Sequence, residues 1–265
     1  MKKFYAASNL LIIILVIAVN AWASVNGING NTVGGVSDRY DSLFTPAGYA
    51  FAIWGIIFIG LIVLGVFQFR QAYFDKSNED IILQIGPWLS LANIINILWL
   101  FAWLNERIGL SLILMFFLLS SLLMVIVRLN MERWDAPFPI LAYVWWPICI
   151  YSGWIAVATV ANVSAYLVSI EWQPGLSPTT WTVIMIVVAA AINLLMILLR
   201  NMREFAAVGI WALVAISIRH WDSIAVVQWT ALISAGVLFA AISIHGYLNR
   251  ATNPLVKYSE FRKSR

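Results

Sequence analysis

Long apolar runs separated by short polar segments recur along the whole of this 265-residue chain. A run of about 20 apolar residues is long enough to span the hydrocarbon core of a membrane. Eight windows qualify: 6–25, 46–69, 83–104, 108–128, 138–168, 179–199, 203–219 and 224–248. With 62% hydrophobic and 11% charged residues and a mean hydropathy of +0.88, the composition excludes an ordinary soluble domain. The sequence therefore predicts an all-α polytopic membrane helix bundle with about eight transmembrane helices.

The basic residues fall mostly on one side of these spans if the N-terminus lies in the cytoplasm. Cytoplasmic loops of membrane proteins carry an excess of Lys and Arg. Of the 16 basic residues, only Arg39, Arg107 and Arg219 fall on the outer side. The others are Lys2, Lys3, Arg70, Lys76, Arg128, Arg133, Arg200, Arg203, Arg250, Lys257, Arg262, Lys263 and Arg265. We expect both termini in the cytoplasm, and a cytoplasmic-membrane location if the chain is bacterial.

The first span also fits a cleavable signal peptide. Lys2 and Lys3 precede an apolar stretch that ends in the small-residue triplet Ala21-Trp22-Ala23. A basic start, an apolar middle and an A-x-A site are typical of secretory leaders. Cleavage would leave the orientation of the remaining helices unchanged, so both alternatives stay open.

The second span begins with a dense group of aromatic residues. Pro46 is suited to a first helical turn and Thr45 to capping it. Tyr49, Phe51 and Trp54 follow within that helix. The preceding Gly- and Asn-rich loop, residues 26–45, ends in apolar and aromatic side chains that are costly to expose to water. We expect the second half of this loop to fold over the bundle as a lid.

The membrane spans contain no charged residue or histidine near their middles. Ionisable groups inside a membrane mark proton relays and ion pathways, so the sequence argues against a pump or a proton-coupled transporter. The single cysteine, Cys149, and the two widely spaced histidines, His220 and His245, form no metal motif. We predict no metal site and no catalytic residue.

Spans three and five each carry a stripe of amide and aromatic side chains. Residues three or four apart lie on one face of a helix. The stripes are Asn93, Asn96, Trp99 and Trp103 on span three, and Tyr151, Trp154, Ala158 and Asn162 on span five. Individual amides of this kind often serve as hydrogen bonds between transmembrane helices. Aromatic rings with a few amides and no charges are also the lining expected for a flat apolar ligand with polar edges.

Three segments resemble the tryptophan-rich sensory protein family, also called translocator protein or peripheral benzodiazepine receptor (TspO/MBR). FTPAGYAF at residues 44–51 is similar to the family's P-P-x-W-x-F start of the second helix. NILW at residues 96–99 is similar to its N-x-L-W in helix three, and YSGWIAVATVAN at residues 151–162 to its helix-five pattern. The three motifs occur in the right order and on the right helices.

The chain also departs from the family pattern. Tyr49 replaces the motif Trp, Ala47 the second Pro, and Leu100 and Ile150 stand where Pro is usual. The resemblance covers residues 1–172, which we assign to a TspO-like five-helix bundle. Residues 173–265 are assigned to an additional three-helix membrane segment, so the chain resembles an extended relative, and its ligand need not be that of the five-helix members.

The resemblance implies a five-helix bundle with a cavity closed by the loop after helix one. Family members bind porphyrins, haem-related tetrapyrroles and sterol-like lipids, often as homodimers. No cofactor is required, and a porphyrin or haem-like molecule would be the ligand. The site residues assigned on this basis are Phe44, Pro46, Tyr49, Phe51, Trp54, Asn93, Asn96, Trp99, Trp103, Tyr151, Trp154, Ala158 and Asn162.

Three functions remain open from the sequence. The first is a sensory or carrier protein that binds a flat hydrophobic ligand, as a homodimer, or as a monomer if helices six to eight cover the dimer face. The second is a porphyrin-processing enzyme, for which only the loop carboxylates Asp38 and Asp41 are available as acid or base. The third is a transporter of a small hydrophobic solute or a structural membrane component. No nucleic-acid role is expected, because the net charge of +4 is sorted by membrane side.

Overall fold

The computed structural model describes residues 1–172, 175–250 and 253–263, and within these it is helical without a β-strand. The helices are α1 Lys2–Asn26, α2 Val33–Arg39, α3 Ile53–Tyr73, α4 Asp80–Ile85, α5 Trp88–Leu104, α6 Ile108–Arg128, α7 Phe138–Ile140, α8 Trp146–Ser169, α9 Pro178–Arg200, α10 Arg203–Arg219, α11 Ala225–Leu248 and α12 Pro254–Lys263. The all-α prediction is confirmed. Gln173 and Pro174 of the fifth loop, and Arg265 of the basic tail, lie outside the described residues.

Six helical segments are long and apolar enough to cross a membrane: Lys2–Asn26, Gly48–Tyr73, Ile108–Arg128, Phe138–Ser169, Pro178–Arg200 and Ala225–Leu248. They correspond to six of the eight predicted spans. The third and seventh spans are helices of 17 residues each, α5 and α10. A 17-residue helix lies at the lower end of the length that spans the hydrocarbon core. The chain is an integral, multi-pass membrane protein.

The predicted span 83–104 is broken near its start. Gly86 has φ 54°, a left-handed conformation that an L side chain rarely adopts, and it ends α4. Pro87 follows as the N-cap of α5, a position at which the missing backbone N–H of proline costs no helical hydrogen bond. The chain therefore turns between two helices where hydropathy alone predicts one.

The first five spans close into a ring. Helix α1 packs on α3 and α5, α5 packs on α6, and both α3 and α6 pack on α8. Helix α8 is the most buried of the six long segments. The remaining long helices form a second group, in which α10 and α11 pack together and α9 packs on both. The predicted division at residue 172 stays a prediction, and α10 joins the two groups by packing on α8.

The α8–α10 contact depends on a glycine. A Cβ atom added at Gly153 of α8 would lie 2.8 Å from the carbonyl oxygen of Phe205 and 3.2 Å from its Cα. Small residues permit this close approach of transmembrane helix backbones. Within the second group, a Cβ atom at Gly209 of α10 would collide with the side-chain amide of Asn193 of α9. The two helix groups are thus packed backbone against backbone.

Two helix starts differ from simple expectation. Thr45 does not cap the second span, because a 3₁₀ helix, Gly48–Ala52, comes first and the α-helix begins only at Ile53. In the fifth span a π-helical segment, Leu141–Trp145, immediately precedes α8. Pro147 lacks the N–H that an α-helix would supply to the carbonyl four residues earlier, and a wider turn accommodates this.

Candidate functional site

An aromatic pocket lies at the end of the ring opposite the chain termini, beneath α2 and the segment that follows it. It is lined by Val33, Ser37, Tyr40, Thr45, Pro46, Phe51, Trp54, Trp99, Trp103, Trp154, Val157, Ala158, Ala161, Asn162 and Ala165. The open volume is only about 50 Å³. Six of these 15 residues are aromatic, and Tyr40 is the only one with a titratable side chain.

The rings of the pocket are arranged as interlocking pairs. Trp99 and Trp103, one turn apart on α5, are stacked with centroids 6.0 Å apart and planes 18° apart. Phe51 meets Trp154 edge to face at 6.0 Å. Such offset and T-shaped arrangements are the favoured geometries of aromatic side chains. The walls are therefore ordered ring surfaces contributed by α5, α8 and the start of the second span.

The polar groups of the two stacked indoles are already satisfied by protein. Trp99 Nε1 donates to Asn162 Oδ1 at 3.2 Å, and Asn162 Nδ2 donates to Ser111 Oγ at 3.1 Å. Trp103 Nε1 donates to the carbonyl oxygen of Val33 at 3.1 Å. Since buried donors need partners, these bonds hold the rings in place. A ligand in this pocket can therefore contact the ring faces of Trp99 and Trp103, but not their N–H groups.

Eight of the predicted site residues line this pocket: Pro46, Phe51, Trp54, Trp99, Trp103, Trp154, Ala158 and Asn162. The structure places the other five elsewhere. Tyr151 is buried beside the pocket wall, with its ring centroid 6.1 Å from that of Trp54. Asn93 donates to the carbonyl of Leu89, and Asn96 accepts from Asn20 at 3.2 Å. Both amides lie deeper along the stripe; Asn96 joins α5 to α1, whereas the bond of Asn93 stays within α5.

Phe44 and Tyr49 face away from the pocket. Phe44 is 1% exposed and packs in the core formed by α9, α10 and α11. Tyr49 is 41% exposed and meets Trp211 of α10 edge to face at 5.2 Å. Neither residue lines this pocket, because the segment that carries them is held by α10 and directs both side chains toward the α9–α11 group.

Seven lining residues were not assigned from the sequence: Val33, Ser37, Tyr40, Thr45, Val157, Ala161 and Ala165. The α8 members extend the stripe of Trp154 and Ala158 by further steps of three or four, so helical spacing alone indicates them. Val33, Ser37 and Tyr40 are spaced four and three apart along α2 and its C-cap, but the Gly- and Asn-rich sequence of this segment predicted a loop rather than a helix.

We define the lid as residues 33–46, which comprise α2 and the chain up to Pro46. One anchor of the lid is Glu106, in the turn between α5 and α6. Its carboxylate pairs with Arg39 and accepts from Tyr40 Oη at 3.1 Å and Asn31 Nδ2 at 3.1 Å. The Arg39 guanidinium is the main cause that lowers the pKa of Glu106, while burial is the main cause that raises the pKa of Tyr40.

The second anchor of the lid is the C-terminal end of α10. Arg219 bridges Asp38 at 3.3 Å and Asp41 at 2.9 Å. His220 Nε2 lies 2.8 Å from the carbonyl oxygen of Leu43, which can only accept, so the ring nitrogen donates. The lid is thus tied to the five-helix ring on one side and to the α9–α11 group on the other.

The turn after the lid is held by the same helix. The backbone N–H of Ala47 donates to the carbonyl of Ala215, and Trp211 Nε1 donates to the carbonyl of Ala50, both at 3.1 Å. These bonds direct the chain from the lid into the second span, and thereby position Phe51 and Trp54 in the pocket.

Comparison with known proteins gives one match. The model of the TSPO-like protein family matches residues 6–244, a region that includes the five-helix ring, α9, α10 and most of α11. No curated protein and no solved structure matched the chain. The resemblance carried by the three motifs is confirmed over nearly the whole length: the chain belongs to the TSPO-like protein family.

Proposed function

We propose that this protein binds a flat hydrophobic ligand, a porphyrin-like tetrapyrrole or a sterol-like lipid, beneath the lid, in a sensory or carrier role. The observation that carries the proposal is the pocket itself. Five aromatic residues from three parts of the chain converge beneath the lid, which adds Tyr40, and no charged side chain is among the lining residues. Apolar, aromatic walls with a few polar groups are typical of sites for such ligands.

Binding requires the lid to move. The pocket has about 50 Å³ of open volume, whereas sites for drug-sized ligands measure about 300–1,000 Å³. The polar anchors of the lid are ion pairs and single hydrogen bonds, and its opening would also withdraw Val36 and Phe44 from the cores of the two helix groups. A ligand would therefore displace the lid from the rings of α5 and α8 and stack in its place.

The residues that line the aromatic pocket favour ligand binding over catalytic turnover of the ligand. Of the lining residues, Tyr40 alone can titrate, and burial together with its bond to Glu106 raises its pKa, so it is a weak general acid. We propose that no resident cofactor is needed. We also propose that both termini lie in the cytoplasm, and that the protein is a homodimer unless α9–α11 occupy the face that five-helix relatives use for pairing.

The test is a titration of the purified full chain with protoporphyrin IX, followed by quenching of its tryptophan fluorescence. We expect saturable quenching, and at least tenfold weaker binding by the Trp154→Ala variant, because Trp154 forms a wall of the pocket. The matched control is Trp229→Ala, since Trp229 is 53% exposed on α11 and is not among the lining residues. Quenching without saturation, equal in both variants, would refute the proposal.

A further inference from the structure

A second cavity, of about 290 Å³, lies at the end of the bundle that carries the chain termini. Its walls come from the loop after α6, the π-helical segment before α8, the corner between α9 and α10, and the end of α11. It is therefore separated from the aromatic pocket by the length of the membrane-spanning helices. Unlike that pocket, it is lined by charged and polar side chains, and the proposed function makes no use of it.

The cavity is surrounded by buried polar atoms that have no hydrogen-bond partner in the protein. They are Trp145 Nε1, Trp146 Nε1, Asn201 Oδ1, Arg203 Nε and Glu204 Oε2. Trp145 is only 1% exposed, so its indole N–H has no access to bulk water. Buried polar groups are nearly always paired, and a cluster of unpaired ones at a cavity indicates a missing partner.

The unpaired atoms divide into two chemical kinds. The two indole N–H groups and the Arg203 guanidinium are donors, whereas Asn201 Oδ1 and the Glu204 carboxylate are acceptors. The Trp146 indole lies near enough to the Glu204 carboxyl to lower the pKa of that group, so the donor side and the acceptor side adjoin there. Glu132 adds another carboxyl group, which accepts from Asn201 Nδ2 at 3.3 Å. Within the described residues, no ion pair within 4 Å involves Arg203, Glu132 or Glu204. Asp135, which also lines the cavity, is already paired with Lys257 at 2.6 Å.

Groups of both charges line the cavity. Burial, and then the neighbouring Glu204, raise the pKa of Glu132 to about 8, so this acid is mostly protonated at pH 7. Burial also raises the pKa of Glu204. Arg133 and Arg203 supply guanidinium groups, and Glu204 supplies the carboxyl group that has no cationic partner within 4 Å in the described residues. A simple cation would leave the indoles and Arg203 without acceptors, and a simple anion would meet the Glu204 carboxylate. Only a ligand that carries both charges satisfies both sets.

We propose that this cavity binds a small zwitterion, with its anionic group at Trp145, Trp146 and Arg203 and its primary ammonium at Glu204 and Asn201. A primary ammonium has three donors and no acceptor, which suits the acceptor side. Anionic oxygens form strong charge-assisted bonds with a guanidinium. The volume, just below that of drug-sized sites, suits a headgroup-sized molecule.

Two sources can supply this chemistry: the headgroup of phosphatidylethanolamine, or a free zwitterion of the same kind. The cavity lies where the chain leaves the membrane, and Trp134 joins Trp145 and Trp146 in its wall. Tryptophan is enriched at the level of lipid headgroups. The experiment must therefore distinguish a bound lipid from a bound solute.

The soluble arm titrates the purified full chain with O-phosphoethanolamine by calorimetry. We expect saturable binding that is at least tenfold tighter than the binding of ethanolamine or inorganic phosphate. Each of these two probes carries charge of one sign only. Glu204→Gln and Arg203→Gln should each weaken binding at least tenfold. Glu79→Gln, the same type of change at the same end of the bundle but outside the cavity, should leave binding unchanged. Melting temperatures verify that the variants fold. If a variant does not fold, the comparison of the three probes on the unmodified chain still tests the proposal.

The lipid arm uses native mass spectrometry of the protein released from nanodiscs of phosphatidylethanolamine or phosphatidylglycerol. Retention of phosphatidylethanolamine by the native chain and its loss in Arg203→Gln support the proposal with a lipid as the source. Binding of O-phosphoethanolamine without retained lipid supports it with a solute as the source. The proposal is overturned if neither binds, or if binding persists in both cavity variants. Neither result bears on the porphyrin titration, which probes the opposite end.

Discussion

The contact between Gly153 and Phe205 provides a quantitative test of how the two helix groups are joined. In Gly153→Ala the new Cβ would lie 2.8 Å from the carbonyl oxygen of Phe205. An ordinary carbon–oxygen contact is about 3.3–3.6 Å. Because the nearest atoms belong to the backbone of α10, the helices must separate by roughly 0.5 Å. Overpacking of this kind typically costs about 1–3 kcal/mol.

Gly236→Ala is the matched control for this change. Gly236 lies in the interior of α11, and a Cβ atom there meets nothing within 4 Å. Both variants gain the same helix propensity of about 0.5–1 kcal/mol, so this contribution cancels in the comparison. We expect the free energy of unfolding of Gly153→Ala to lie about 1–3 kcal/mol below that of Gly236→Ala.

The assay is reversible unfolding in mixed micelles with increasing SDS, followed by circular dichroism. If Gly153→Ala is as stable as Gly236→Ala, or more stable, the argument from close backbone contact is refuted. Separation of α8 from α10 should also loosen the lid, because α10 carries its second anchor.

Three further outcomes are expected. Gly209→Ala should destabilise the protein, because its Cβ would collide with the side-chain amide of Asn193, and Asn193→Ala should relieve that cost in a double-mutant cycle. Protection of the lid amides against hydrogen exchange, relative to the intrinsic rate at each pH, should persist as pH falls to the ordinary Glu106 pKa of 4.5 and be lost only below it, because Arg39 lowers that pKa; in Glu106→Gln this protection should be low at every pH. Thermal stability should fall as pH rises above about 4.5 toward 8, since folded Glu132 keeps a proton that the unfolded chain loses, and Glu132→Gln should reduce this slope, the raised pKa of Glu204 supplying the remainder; a slope unchanged in Glu132→Gln would assign the effect to other groups.

Hydropathy predicted where the helices lie, because each apolar window is a local property of the chain. It did not predict how they begin. The second span was expected to start at Pro46 with a Thr45 cap, yet its α-helix starts at Ile53. The reason is non-local. The backbone N–H of Ala47 donates a hydrogen bond to the carbonyl of Ala215 of α10, and this bond fixes the path of the chain on the N-terminal side of the helix.

The candidate site shows the same division between local and distant information. Helical spacing brought Trp99, Trp103 and Trp154 onto facing stripes, and these residues do line one pocket. Spacing cannot say where along a stripe a cavity ends, so Asn93 was included although it lies deeper. Phe44 lies outside this pocket for a related reason, because its partners belong to α9–α11, which the motif comparison did not cover.

The double anchoring of the lid has a consequence for the order in which the protein is made. The bond between Leu43 and His220 joins positions 177 residues apart in the chain. At about 5–20 residues per second, the ribosome needs roughly 9–35 s to reach the second partner after the first has been synthesised. Throughout that interval the only one of the lid's two anchors that can form is the one at Glu106. Completion of the pocket is therefore a late event of biogenesis, timed by the seventh span rather than by the helices that form the pocket walls.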